Sequence, residues 1–177
     1  MTGFRRVAFI LMMGGGASAT GRAAAQTPTA AVMANAVVVT VGMTITTLSN
    51  LDFGTVIKGV ATTVQPTAAT AGSWQVTGSA NAFVIITFTL PATLTNIQAL
   101  PGSTMPITFN ATATRWNRAT NNAAAGTPFN PAVGIVGRLG PPPNPNLYVW
   151  IGGTVSPAAA AKPGIYRGNV ILSLVYQ

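Results

Sequence analysis

The sequence predicts an all-β fold, one β-sandwich domain, on three observations. Short runs rich in Val, Ile, Thr and aromatic residues recur from end to end. Clusters of Gly, Pro and Asn separate them, with 19 Gly and 13 Pro in 177 residues. No window of eleven or more residues carries the i, i+3, i+4 apolar stripe of an amphipathic helix. Short strands punctuated by turn residues are the pattern of a sandwich or barrel, and the length suits a single core.

The elements follow in order. Residues 1–25 carry Arg5 and Arg6, then an apolar run over 7–13, then Ala23-Ala24-Ala25 before Gln26. That is the layout of a secretory signal peptide cleaved after Ala25, with an apolar stretch too short to span a bilayer as a helix. Residues 26–45 form an extended segment without a charged residue, and 32–45 place Met33, Val37, Val39, Val41, Met43 and Ile45 on one face. A short strand and turn are expected over 50–54 and 56–59, short strands over 62–66 and 73–78, and a strong strand over 83–90. Further strands are expected over 107–114, 147–155 and 164–176. Residues 46–177 thus make the sandwich. The stretch 115–146, with Asn121-Asn122 and Pro141-Pro142-Pro143-Asn144-Pro145, is expected as an irregular insertion with a short hairpin near 133–139.

The chemical inventory argues against catalysis. There is no Cys, no His and one acidic residue, Asp52. Paired carboxylates, thiolate nucleophiles, His bases and His, Cys or carboxylate metal sites all draw on those residue types. No enzyme, cofactor or metal is therefore expected. Asp52 beside Phe53-Gly54 suits a turn, or a pair with Lys58 or Arg167. Removing residues 1–25 takes away Arg5, Arg6 and Arg22; six cations then face Asp52, for a net charge of about +5. The cations are scattered, so nucleic acid is not expected as a partner, while a surface polyanion stays open.

Two aromatic groups suit a ligand surface. Arg115-Trp116-Asn117-Arg118 sets an indole between two guanidinium groups, and Tyr148 and Trp150 alternate on one strand face opposite Leu147, Val149 and Ile151. The first group fits rather a strand edge or subunit contact with Trp116 half-buried, and either face of the 147–151 strand fits the core. Trp74 is expected in the core. Asn110-Ala111-Thr112 matches the N-glycosylation acceptor pattern.

From Leu51-Asp52-Phe53-Gly54 onward the chain resembles a known group. That motif, Val56-Ile57-x-Gly59, the block Ile151-Gly152-Gly153-Thr154-Val155 and Gly164-x-Tyr166-x-Gly168 look like the secreted "domain of unknown function 4402" family, over about residue 30 to the end. More distantly the chain is similar to spore-coat-U-type and chaperone–usher pilin subunits. Those pilins end in a strand with a penultimate Tyr and a Gly fourteenth from the end; here these are Tyr176 and Gly164, with Tyr166, Val170, Leu172, Leu174 and Tyr176 on one face.

The pilin resemblance implies an immunoglobulin-like sandwich short of one strand, completed by an extended segment of the next subunit. Met33, Val37, Val39, Val41 and Met43 would be the donor, and Gly164, Tyr166, Val170, Leu172, Leu174 and Tyr176 the acceptor edge. Partners would then be further copies, head to tail, with a periplasmic chaperone and an outer-membrane usher on the export route. Residues 32–45 read equally well as the first strand of a self-complete domain, and 164–176 as an ordinary last strand. Two functions follow: a subunit of an extracellular filament, pilus or surface layer, with an adhesion or biofilm role, or a monomeric secreted module binding glycan through Arg115, Trp116, Arg118, Tyr148 and Trp150.

Overall fold

The computed structural model describes residues 42–98 and 104–177. The candidate donor positions Met33, Val37, Val39 and Val41, and the leader, lie outside the described residues. In chain order the strands are β1 (Thr44–Ser49), β2 (Thr62–Val64), β3 (Gly72–Thr77), β4 (Phe83–Thr89), β5 (Thr93–Asn96), β6 (Thr104–Thr108), β7 (Thr114–Arg118), β8 (Thr127–Phe129), β9 (Ile135–Arg138), β10 (Asn146–Ile151), β11 (Gly153–Val155), β12 (Tyr166–Arg167) and β13 (Ile171–Tyr176). Among the described residues there is no helix, and the strand pairings are antiparallel. The protein is an all-β sandwich.

Three sheets build it, ordered β1-β3-β10-β7-β8, β12-β5-β6-β11-β2 and β13-β4-β9. The period-2 pattern decides which side of each strand is inside. Along β4, Val84 and Ile86 are fully buried while Phe83 and Ile85 face solvent; along β10, Leu147, Val149 and Ile151 are fully buried. Val84, Ile86, Leu147 and Val149 meet Val76, Phe129, Leu139 and Leu172 in one core, which joins the first sheet to the third. Trp74 of β3 packs against Phe88 of β4, ring centroids 5.8 Å apart. A second, smaller core of Met105, Ile107 and Val155 belongs to the second sheet. Instead of a facing sheet it has Phe53 and Val56 of the β1–β2 loop against it, with Leu94 and Tyr166.

Several expected strands divide where the backbone cannot continue a ladder. Residues 50–59 form no strand: Asp52 Oδ1 accepts a hydrogen bond from the Gly54 N–H at 2.8 Å, and Gly54 and Gly59 have φ of 62° and 75°. Residues 107–114 break at a turn in which Asn110 Oδ1 accepts from the N–H and hydroxyl of Thr112, separating β6 from β7. Residues 147–155 switch sheets at Gly152, where a Cβ would strike the Val64 carbonyl oxygen. Residues 164–176 split into β12 and β13.

The stretch 115–146 is not an irregular insertion. It holds most of β7 together with β8 and β9, and β9 pairs with β4 (Ile86↔Ile135, Phe83↔Arg138) instead of closing a local hairpin. Arg115 pins the loop after β7, donating from Nη1 to the carbonyls of Ala123, Ala124 and Gly126 at 3.5, 3.2 and 3.0 Å. A residue contact this local left no hydrophobic period to read.

Candidate functional site

Among the described residues six strands end the three sheets: β1, β8, β12, β2, β13 and β9. Among the described residues β1 pairs only with β3, and β13 only with β4. Met43, just before β1, packs against the larger core, as do Leu174 and Tyr176 of β13. The inner side of β1 is incompletely covered: Ile45 stands opposite the fully buried Val76 and is still 41% exposed. Part of an inward-facing apolar side chain is thus open to water.

At the end of β1, from Ser49 onward, an open groove of about 1000 Å³ is lined by residues 49–56 and 161–170. Its floor is apolar: Trp74, Leu94, Met105, Ile107, Val155 and Tyr166. All but Trp74, which packs against the larger core, belong to the second core and its margin, so the groove opens onto packed hydrophobic residues. Amide and hydroxyl groups of Ser49, Asn50, Thr55 and Asn169 stand along its sides. Lys58, Lys162 and Arg167 also line it, all exposed, and none of them has an ion-pair partner among the described residues. Asp52 lines it too, with one carboxylate oxygen held by the Gly54 N–H.

Residues 164–170 border the groove, and the chain continues into β13, which ends the third sheet. The even positions from 166 to 176 turn inward as the alternation predicts: Leu172 is buried, Tyr166, Val170, Leu174 and Tyr176 are half-buried, and the odd positions are exposed. Both hallmark residues have local work in the fold. The Tyr176 hydroxyl accepts from the Ser79 N–H at 2.9 Å, against Gly78, where any Cβ would collide with it. Gly164 has φ of 146°, and a Cβ there would strike the amide of Asn96. Asn96 is 2% exposed; its Nδ2 donates to the Pro163 carbonyl at 3.3 Å and its Oδ1 accepts from the Gln98 N–H at 2.9 Å. Asn96 is the residue that sequence reasoning missed. It sits at the end of a four-residue strand, with no pattern to mark it.

The aromatic surface is divided by the sheet. Arg115, Tyr148 and Trp150 lie on the outer face of the first sheet, where Trp150 stands opposite Arg115 and stacks on Tyr148 at 6.2 Å. Trp150 is only 6% exposed, so Tyr148 presents most of the open ring surface. Trp116 and Arg118 have the other parity. Trp116 is half-buried against the larger core, its indole Nε1 buried without a partner among the described residues, while Arg118 is exposed at the strand end. Arg115 and Trp116 therefore do not act as one surface.

Fold and groove together define a class: an antiparallel β-sandwich domain that leaves one side open over an apolar cleft. Within it the chain belongs to the family described as domain of unknown function (DUF4402), whose model matches residues 43–176. The match begins at the edge of β1, not at about residue 30, and leaves out nearly all of the uncharged segment 26–45. No curated protein was found to match the chain.

Proposed function

We propose that the protein is a secreted, non-enzymatic structural subunit of an extracellular filament, pilus or surface layer, with an adhesion or biofilm role, and that its copies join head to tail by β-strand addition. The observation that carries this reading is the groove of about 1000 Å³ lined by Ser49 at the end of β1 and by β12, each an end strand of its sheet among the described residues, and floored largely by the second core. An extended segment laid there would hydrogen-bond to an unpaired edge and bury alternate side chains in the cleft. Residues 26–42 of a neighbouring copy suit that place: rich in β-branched residues, uncharged and outside the family match.

Burying four side chains of the size of Met33, Val37, Val39 and Val41 would contribute about 8 kcal/mol from apolar area. Ladder hydrogen bonds along the edge add to that, and the conformational entropy lost on ordering the segment opposes it. Met43 already packs against the larger core of its own domain, which ends the donor at residue 42. Such contacts do not close on themselves, so they propagate into an open filament. The leader over 1–25 supports export, and the resemblance to pilin-type subunits supports a chaperone and an usher on that route.

The test uses protein lacking residues 1–25, followed by size-exclusion chromatography and electron microscopy across concentration. Filaments are expected, and deletion of residues 26–42 is expected to abolish them while a synthetic peptide of those residues binds the deleted chain. A folded monomer at every concentration, or filaments that survive the deletion, overturns the reading.

A further inference from the structure

Half of the cations in the described residues, Lys58, Lys162 and Arg167 among six, line the groove. They are placed by different parts of the chain. Lys58 sits in the β1–β2 loop, whose Gly59 N–H donates to the Pro157 carbonyl at 2.9 Å, bringing that loop against the segment leading to Lys162. Lys162 is held through its carbonyl, which accepts from the Tyr166 hydroxyl at 2.7 Å, and Arg167 is on β12, opposite Thr95. The one acid of the chain, Asp52, is on the same groove and forms no ion pair with them.

The segment 26–42 of another copy has no Asp, Glu, Lys or Arg. It gains nothing from three cations around its seat, and a second copy brings a net positive charge to the same place. From this mismatch we infer that the groove's stronger partner is a different polypeptide: an extended apolar segment flanked by Asp or Glu side chains. The inference rests on the groove being a strand-accepting site. The floor selects for alternating apolar residues, as any strand would supply; the rim selects for carboxylates, which this chain does not carry. Exposed pairs are individually weak, so three of them amount to roughly a tenfold preference at low ionic strength, and salt removes it. A partner of this chemistry displaces or precedes self-assembly, as a capping or escorting protein does.

The experiment immobilises the chain lacking residues 1–25 at low density, so that copies do not meet, and measures binding of two peptides. One has the sequence of residues 26–42; the other adds two Glu at each end. At about 20 mM salt, where the screening length exceeds 20 Å, the Glu-flanked peptide is expected to bind about tenfold tighter. That advantage is expected to vanish in half-molar salt and in K58Q/K162Q/R167Q, and to persist in R118Q, which removes a cation outside the groove. The unflanked peptide is expected to bind all three proteins alike. Equal affinity of the two peptides at low salt, or an advantage that survives in K58Q/K162Q/R167Q, overturns the inference and leaves the cations as guards against edge-to-edge pairing. If neither peptide binds, the strand-accepting reading of the groove falls, and this inference with it.

Discussion

Gly164 and Tyr176 show how a single residue can look like a signature and act as a local lock. Gly164 leaves room for the Asn96 amide, which ties β5 to the 163–165 segment through Pro163 and is backed by the Ile97 N–H donating to the Ile165 carbonyl at 2.9 Å. Gly164→Ala is expected to destabilise the domain by about 2–3 kcal/mol, since the added methyl meets a 2%-exposed side chain and the backbone is left-handed there. Urea unfolding checks it: the midpoint falls with the slope unchanged. Tyr176→Phe keeps the ring in place and removes the acceptor of the Ser79 N–H, at an expected cost of about 1–2 kcal/mol. A loss below a few tenths of a kcal/mol would mean that water replaces the hydroxyl.

At the scale of the element, the two faces of β4 separate core from surface. Ile86→Ala opens a cavity among Val84, Leu147 and Leu172 and is expected to cost about 3–4 kcal/mol. Val136→Ala, on the exposed partner strand β9, is expected to cost less than about 0.5 kcal/mol. Thermal unfolding of the pair checks whether the alternation assigns the faces correctly. β4, β10 and β13 were legible because each alternates over six or seven residues with one face buried. β8 and β9, of three and four residues, were not: so short a run carries no period, and their pairing with β7 and β4 is decided by residues far away in the chain. The divisions at Asn110 and Gly152 were equally hidden, because a turn and a sheet switch look like any other polar or glycine position until the neighbouring strand is in place.

At the scale of the whole molecule, charge and assembly are linked. Without residues 1–25 each copy carries a net charge of about +5, so copies repel as they approach. Raising ionic strength from 0.01 to 0.15 M shortens the screening length from about 30 to about 8 Å, and filament growth is expected to accelerate accordingly. Light scattering at fixed protein concentration reads this directly; growth that slows with salt would point to an electrostatic join in place of an apolar one.

The amino-acid order alone determined the all-β class, the inward face of the longest strands and the family resemblance, because these depend on a period of two and on turn residues that act within a few positions. It also determined the chemical poverty of the chain: with no His or Cys and one acid, few reactions can be written for it. Only the tertiary structure decided that residues 115–146 are strands of the sandwich, that Trp116 and Arg115 face opposite ways, that Asn96 is buried under Gly164, and that three scattered cations share one groove. Each of those depends on which distant strands become neighbours, and pairing between distant strands is set by the packing of the whole sandwich, which no local pattern encodes.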